Sequence, residues 1–210
     1  MKLRDYSQLR DDLRKIIPVA LKNTQVSIPE IIKTMTIQKH GNLHKIFPET
    51  VDKTKFVSPI FNPQLEYVAQ QQGIDYIQEE AVGYDAILRG LKLENKLSFM
   101  AGGASFATGN NHSKTKVPHV FCTKLLYDVE TNKITDIFAA IVDLSKATNP
   151  LTRWDDEQKV DKKTGKVKNN NGFSKLLVHK DDADCVTVIF GGLKPLQWNS
   201  KYYHPSYEAC

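Results

Sequence analysis

Apolar residues near the start of the chain recur at helical spacing. Between residues 4 and 22 they fall every three or four positions, which predicts an amphipathic helix that Pro18 kinks or ends. A second short helix is predicted from Ser27, a residue type typical of an N-cap, with Pro29 in its first turn. Two helices are therefore expected at this end of the chain, one within residues 4–22 and one from Ser27.

The next part of the chain, residues 40–72, is predicted to change from an irregular connection to a helix. Residues 40–63 contain Gly41 and three prolines, so an irregular connection is predicted there. A helix is predicted over residues 64–72, ending at Gly73, because glycine suits the left-handed conformation that follows many helices. Residues 1–60 are thus expected to form a helical N-terminal extension.

After Gly73 the apolar period changes from 3.6 to 2, which predicts β-strands. Residues 101–111 are rich in glycine and asparagine and are predicted to form a loop, and residues 130–133 a hairpin turn. Residues 146–172 are rich in lysine and asparagine and are predicted to form a long exposed loop. The predicted strands are 74–77, 84–88, 91–99, 117–129, 134–144 and 185–190.

Composition places the chain among ordinary globular proteins. Its 210 residues suit one domain spanning the chain, and 40% apolar with 25% charged residues argues against disorder. Lys and Arg number 29 against 24 Asp and Glu, which gives a net charge of +5. This mild excess permits a polyanionic partner without requiring one.

Three features bear on the compartment in which the protein works. Cys122, Cys185 and Cys210 lie far apart without a CxxC motif, which predicts reduced thiols rather than disulfides or a zinc site. The longest apolar run, 137–142, is far shorter than the ~20 residues that span a bilayer. The first residues lack the apolar segment of a secretory signal. We therefore expect a soluble, cytoplasmic protein with no membrane partner.

Charged side chains line one face of the predicted strand 91–99. Lys92, Glu94 and Lys96 alternate with apolar residues and so project from the same surface. Asn95 is the one polar residue on the apolar face. The strand therefore presents an acid and an amine side by side.

A second acid is predicted to lie opposite the first. Arg89–Gly90 suits a two-residue hairpin turn, and in that register Asp85 faces Glu94 with Cβ atoms roughly 4.5–5.5 Å apart. Facing carboxylates repel unless a cation or a proton lies between them. Oxygen ligands at this spacing suit Mg²⁺, and Lys96 beside them could orient a water or take its proton. The pattern predicts a site for phosphodiester hydrolysis.

Asp85, followed after eight residues by Glu94-Asn95-Lys96, resembles the signature of the PD-(D/E)xK nuclease superfamily, which includes many type II restriction endonucleases. The resemblance covers about residues 64–144 and fits the helix-strand-strand-strand order predicted there. It implies an α/β fold whose central mixed β-sheet is flanked by helices, a restriction-endonuclease-like core. It also implies Asp85 and Glu94 as Mg²⁺ ligands and Lys96 as the third catalytic residue.

The resemblance carries further expectations and two departures. Some members have another acid before the first strand, for which Glu66 and Glu80 are the candidates. Tyr84 stands where many members have proline, and residues 100–116 look loop-like where the family usually has a helix. The implied function is a Mg²⁺-dependent endodeoxyribonuclease of restriction type. A homodimer is expected because cutting both strands of a two-fold site calls for two active sites.

Other residues and functions complete the expectations. The glycine-rich segment 102–109 matches neither common nucleotide-phosphate motif, so no nucleotide cofactor is expected. One alternative function is a non-catalytic nucleic-acid-binding protein of phage or mobile-element origin, in which the acids at 85 and 94 are incidental. Another is a structural or assembly protein. The lysines predicted to contact DNA phosphates are Lys114, Lys116, Lys162, Lys163, Lys166 and Lys168.

Overall fold

The computed structural model describes most of the chain and leaves several segments out of the description below. Residues before 6 and the long segments 35–49, 109–116 and 156–173 are among those left out. The described residues are 6–34, 50–81, 84–99, 106–108, 117–128, 130–131, 133–155, 174–195 and 201–209.

The N-terminal region forms one long helix, α1 (Ser7–Thr34), rather than the two helices predicted. Pro18 does not end it, and Ser27 is not an N-cap, since its hydroxyl donates to the carbonyl of Asn23 at 2.8 Å. A proline inside a helix costs about 3 kcal/mol. This cost is offset because one face of α1 is fully buried, and Pro18 lies on the exposed side. The buried residues include Leu13, Ile16, Ile17, Ala20 and Leu21.

A second long helix, α2 (Thr50–Gln71), replaces most of the predicted irregular connection. That prediction was wrong from residue 50 onward, because Pro59 and Pro63 both lie on the exposed side of the helix. The opposite side is buried at helical spacing through Val57, Phe61, Leu65 and Val68. Residues 40–49 of the predicted connection are outside the described part of the chain.

The predicted end of this helix at Gly73 is confirmed. Gly73 has φ +64°, its amide donates to the carbonyl of Gln70, and the amide of Ile74 donates to the carbonyl of Ala69. These two bonds form a Schellman motif, which satisfies carbonyls at the end of the helix. The chain then turns directly into the first strand.

A seven-stranded mixed sheet lies at the centre of the fold, so the predicted α/β class is confirmed. Its order is β1-β2-β3-β5-β6-β12, and β9 also pairs with β6. Among the described strand pairs of this sheet, only β3 and β5 run parallel. The strands are β1 (Tyr76–Ala81), β2 (Tyr84–Leu88), β3 (Leu91–Phe99), β5 (His119–Asp128), β6 (Lys133–Asp143), β9 (Val186–Phe190) and β12 (Glu208–Ala209).

Smaller elements lie outside the central sheet, and the sequence pattern did not predict them. The three-stranded sheet β4-β8-β7 and the hairpin β10-β11 are both antiparallel. They include β4 (Phe106–Thr108), β7 (Arg153–Asp155), β8 (Ser174–Leu177), β10 (Gly192–Pro195), β11 (Tyr203–Ser206) and the 3₁₀ helices Leu144–Lys146 and Lys180–Cys185. The predicted loop 146–172 therefore contains a short strand, and its remainder from 156 is not described.

The central sheet is covered on both faces. The larger apolar cluster joins one face of the sheet, through residues such as Leu93 and Phe121, to α1 and α2. The smaller cluster lies on the opposite face, where Leu176 of β8 meets Val120 and Phe138. Within the described residues, neither helix combines the length and apolar character needed to cross a membrane.

Gly191 allows β9, β10 and β11 to meet closely. Its φ is +73°, and a Cβ atom added there would overlap the carbonyl oxygen of Ser206 and lie 3.3 Å from that of Ile137. We expect Gly191→Ala to lower the free energy of unfolding by about 3 kcal/mol, measured by urea denaturation. Gly90→Ala is the matched control, because Gly90 has φ +74° but open space around it, and should cost about 1 kcal/mol. Equal losses in both variants would contradict the steric explanation.

Candidate active site on the β2–β3 hairpin

The hairpin that joins β2 to β3 has the predicted turn and register. Arg89 and Gly90 have φ of 48° and 74°, the left-handed conformations of a two-residue turn that matches strand twist. Leu88 pairs with Leu91, and the register continues to Ala86 and Leu93. This register places Asp85 and Glu94 as the next positions across the two strands.

The hairpin is fixed to α1 at its turn. The Arg89 guanidinium forms an ion pair with Asp12, whose side chain is 2% exposed. Burial would raise the pKa of Asp12, but hydrogen bonds from Arg89 and Gln8 lower it overall. The amide of Arg89 also donates to the carbonyl of Asp75 at 2.8 Å. These contacts hold the turn in place and so set the position of the acids on either side of it.

Asp85 binds the backbone of β3 between the other two predicted site residues. Its Oδ2 accepts a hydrogen bond from the amide of Asn95 at 2.8 Å. Asn95 lies between Glu94 and Lys96 in the sequence. The structure thus places Asp85 beside the Glu94-Asn95-Lys96 segment.

Glu94 and Lys96 lie on the same face of β3 and form an ion pair. Their side chains are 10% and 19% exposed, so this pair is shielded from most of the solvent. Taking charges out of water is costly, and each member of such a pair stabilises the charge of the other. The predicted projection of these two side chains from one surface is confirmed.

Asn95 points to the other face of β3, where it contacts a buried tyrosine. Its side-chain amide donates to the hydroxyl of Tyr76 at 3.0 Å, and its own Oδ1 is buried with no hydrogen-bond partner among the described residues. Burial raises the pKa of Tyr76 most, the Asn95 hydrogen bond opposes this, and the charges of Asp85 and Glu66 raise it further. Both carboxylates therefore lie close enough to influence the Tyr76 hydroxyl.

The two candidate additional acids differ in how they are placed. Glu66 lies on α2, as the sequence predicted, and its Oε1 accepts a hydrogen bond from the amide of Gln78 in β1 at 3.2 Å. Glu80 lies in β1, and its side chain falls outside the description. This hydrogen bond ties Glu66 to β1, the strand next to β2.

The remaining predictions for the site depend on residues that the structure does not describe. Six lysines predicted to contact DNA lie in such segments: Lys114, Lys116, Lys162, Lys163, Lys166 and Lys168. The predicted loop 100–116 is described only at residues 106–108, which form β4. Over the described ranges, no group of three or more His, Cys, Asp or Glu side chains is placed to share a metal ion.

Sequence reasoning missed Lys124, a charged residue on the same face of the sheet as Glu94 and Lys96. It lies in β5 opposite Ser98 of β3, and it is 3% exposed. The signal was present in the sequence, since Lys124 interrupts the apolar run 120–126. Burial lowers the pKa of this lysine to about 8.

The donors that the hairpin presents are carboxylate oxygens from Asp85 and Glu94, with the Lys96 ammonium beside them. Hard oxygen donors suit Mg²⁺, which binds one or two protein carboxylates and keeps several waters. No family model matches the chain, and no curated protein or solved structure matches it either.

Proposed function

We propose that this protein is a Mg²⁺-dependent endodeoxyribonuclease of restriction type, hydrolysing phosphodiester bonds in DNA. The observation that supports this best is the position of the Asp85 carboxylate. It accepts a hydrogen bond from the backbone amide of Asn95, the residue between Glu94 and Lys96, whose side chains form an ion pair. One short hairpin thereby brings two acids and an amine together, which is the set of groups that metal-assisted phosphodiester hydrolysis uses.

Each residue has a distinct role in this proposal. Asp85 and Glu94 would hold Mg²⁺, which when bound polarises the phosphate and lowers the pKa of a water ligand. The Asn95 amide fixes the orientation of Asp85 through its 2.8 Å hydrogen bond. Lys96 Nζ, which contacts Glu94 in this structure, would orient the attacking water or accept its proton.

The surrounding fold supports the same proposal. Helix α2 leads into three successive antiparallel strands, β1, β2 and β3, which is the helix-strand-strand-strand order that the PD-(D/E)xK resemblance implies. The net charge of +5 is compatible with a polyanionic partner such as DNA. A homodimer acting in a prokaryotic or phage-infected cytoplasm completes the proposal, since a two-fold DNA site needs two cleavage centres.

The direct test is incubation of the purified protein with phage λ DNA at pH 7, with and without Mg²⁺. We expect cleavage only with Mg²⁺, and discrete fragments on a gel if the enzyme is sequence-specific. A smear of fragments would support nuclease activity but contradict sequence-specific cleavage of restriction type. Intact DNA at every Mg²⁺ concentration, on duplex, single-stranded and branched substrates alike, would overturn the proposal.

One observation favours a second candidate function, a non-catalytic nucleic-acid-binding protein. The negative charge of Glu94 is already balanced by the positive charge of Lys96, so the pair needs no metal ion to compensate it. Salt-dependent DNA binding with no Mg²⁺-stimulated cleavage would support this candidate. Failure to retain DNA even at low salt would contradict both functions.

A further inference from the structure

A cavity of about 370 Å³ lies between α1 and the edge of the central sheet formed by β9 and β12. Its walls include Ile17 and Leu21 of α1, Ile137 of β6 and Phe190 of β9. The strands of the candidate active site, β2 and β3, belong to the opposite side of the same sheet. The cavity is therefore a separate feature, and the proposed nuclease activity does not use it.

Two hydrogen bonds hold α1 against the sheet on either side of this cavity. Arg14 Nε donates to the carbonyl of Ile189 at 2.9 Å, one helical turn before the lining residue Pro18. At the other end, the amide of Ile134 donates to Gln25 Oε1 at 2.9 Å. A ligand that enters a cavity with fixed walls does not have to order them, and this favours binding.

The walls of the cavity favour hydrocarbon over water. Ile17, Leu21 and Ile137 are buried core residues, and Phe190 is half-buried beside them. A water molecule needs about two to four polar partners to be held in such a place. Gln25 is a polar residue in the wall, and its Oε1 already accepts the backbone bond described above. A hydrocarbon chain gains free energy here in proportion to the apolar area that it buries.

The mouth of the cavity carries a positive charge. Lys22 lines the cavity and is exposed to solvent. Among the ion pairs of the described residues, none involves Lys22. A lysine packs its methylenes against apolar surface while its ammonium stays in water. The arrangement therefore complements a molecule whose hydrocarbon part ends in a single negative charge.

The volume of the cavity limits the length of that hydrocarbon part. A water molecule occupies about 30 Å³ of liquid, so the cavity equals about 12 water volumes. A methylene group takes about the same volume as a water molecule, which leaves room for a chain of about ten carbons.

We propose that this cavity binds one straight-chain carboxylate of about ten carbons, with its chain between α1 and the sheet and its carboxylate at Lys22. This inference does not depend on the nuclease proposal, because the two sites share no residue. It assigns to the protein a binding site for an anionic amphiphile.

The first test is isothermal titration of the full chain with sodium decanoate at pH 7, kept below its micellar concentration. We expect one decanoate per chain with a dissociation constant of about 10 µM. Octanoate should bind about tenfold more weakly and hexanoate about 100-fold more weakly, because each methylene removed leaves less apolar area to bury. Equal affinity for all three carboxylates, or no binding of decanoate, would overturn the proposal.

The second test locates the carboxylate. Lys22→Met keeps an apolar side chain of similar length and should raise the decanoate dissociation constant about threefold, the effect of an exposed ion pair. The affinity for 1-decanol, which carries no charge, should not change. Lys15→Met is the matched control, because Lys15 is an exposed lysine of α1 that does not line the cavity. Equal effects of Lys22→Met on decanoate and decanol would contradict the placement of the carboxylate.

The third test locates the hydrocarbon chain. Ala209 lines the cavity and is exposed, so Ala209→Phe should fill the space and weaken both decanoate and decanol about tenfold or more. Ala183→Phe is the matched control, since Ala183 is an exposed alanine outside the cavity. Thermal unfolding checks that each variant folds, and Lys22→Met gives an independent result if Ala209→Phe does not.

Two further outcomes would overturn the inference. Parental decanoate affinity in a folded Ala209→Phe protein would show that the carboxylate binds elsewhere on the surface. Dimerisation of the parent protein, measured by sedimentation and abolished by Ala209→Phe, would assign the cavity to a second copy of the chain instead.

Discussion

A Glu94→Gln protein is expected to cleave DNA about 10³-fold more slowly than the parent at saturating Mg²⁺. Glutamine has nearly the same shape as glutamate and keeps an oxygen that Lys96 Nζ can donate to. It removes the negative charge that would hold the metal ion. Because Glu94 is only 8% exposed, this change leaves most of the solvent-exposed surface of the protein unchanged.

The measurement is single-turnover cleavage of plasmid DNA, together with equilibrium DNA binding without Mg²⁺. Binding should remain within about threefold of the parent, since phosphate contacts come mainly from basic residues. Glu130→Gln is the matched control, because Glu130 is an exposed glutamate in the β5–β6 turn. Lys96→Ala should likewise lose cleavage while DNA binding stays close to that of the parent. Near-parental cleavage by either site variant would refute the assignment of the site to this hairpin.

The position of the candidate site could be predicted from sequence because it depends on local rules. A two-residue turn containing glycine fixes the hairpin register, and the period of 2 assigns side chains to faces. The Arg89–Gly90 turn and the register from Leu88–Leu91 to Ala86–Leu93 were therefore predicted correctly. What local rules could not predict is that the Asp85 carboxylate accepts the Asn95 amide, because that contact depends on how the two strands separate beyond Ala86.

The errors in the predicted helices come from tertiary packing. Proline was taken to end or prevent a helix, but Pro18, Pro59 and Pro63 lie on exposed helix surfaces while the opposite faces are buried. Local propensity is a weak predictor when a long apolar face is available to pack against a sheet.

Lys124 shows a second limit of sequence reasoning. Its place in the sheet depends on the parallel pairing of β3 with β5, whose paired residues, such as Ser98 and Lys124, are 26 positions apart. Sequence patterns indicate which face of a strand is buried, but not which strands are neighbours. That Lys124 shares a sheet face with Glu94 and Lys96 is therefore evident only in the folded chain.

A separate buried acid, Asp182, is expected to control stability rather than activity. Its Oδ1 accepts hydrogen bonds from the amide and the hydroxyl of Thr148 at 2.9 and 2.8 Å, and its Oδ2 accepts from the amide of Asn149 at 3.1 Å. Asp182 is 3% exposed and ties the 3₁₀ helix Lys180–Cys185 to the segment after β6. We expect Asp182→Ala to lower the free energy of unfolding by about 3 kcal/mol, because buried donors lose their partner.

The pH dependence of this loss identifies its cause. Burial alone would raise the pKa of Asp182, but hydrogen bonds from Thr152, Thr148 and Asn149 lower it to about 2 from 3.8. Since the pKa is lower in the folded state, the ionised carboxylate stabilises the fold fully above about pH 5. That contribution is lost as the pH falls through 3.8 towards 2.

Urea unfolding of the parent and Asp182→Ala proteins at pH 7, 5 and 3 tests this explanation. The difference in stability between them should be constant from pH 7 to 5 and should shrink at pH 3, because Asp182 in the unfolded parent is then largely protonated. Asp184→Ala is the control, since Asp184 is an exposed acid in the same 3₁₀ helix, and should change stability by less than about 0.5 kcal/mol. A difference that stays the same at all three pH values would show that packing, and not the charge of Asp182, holds this segment in place.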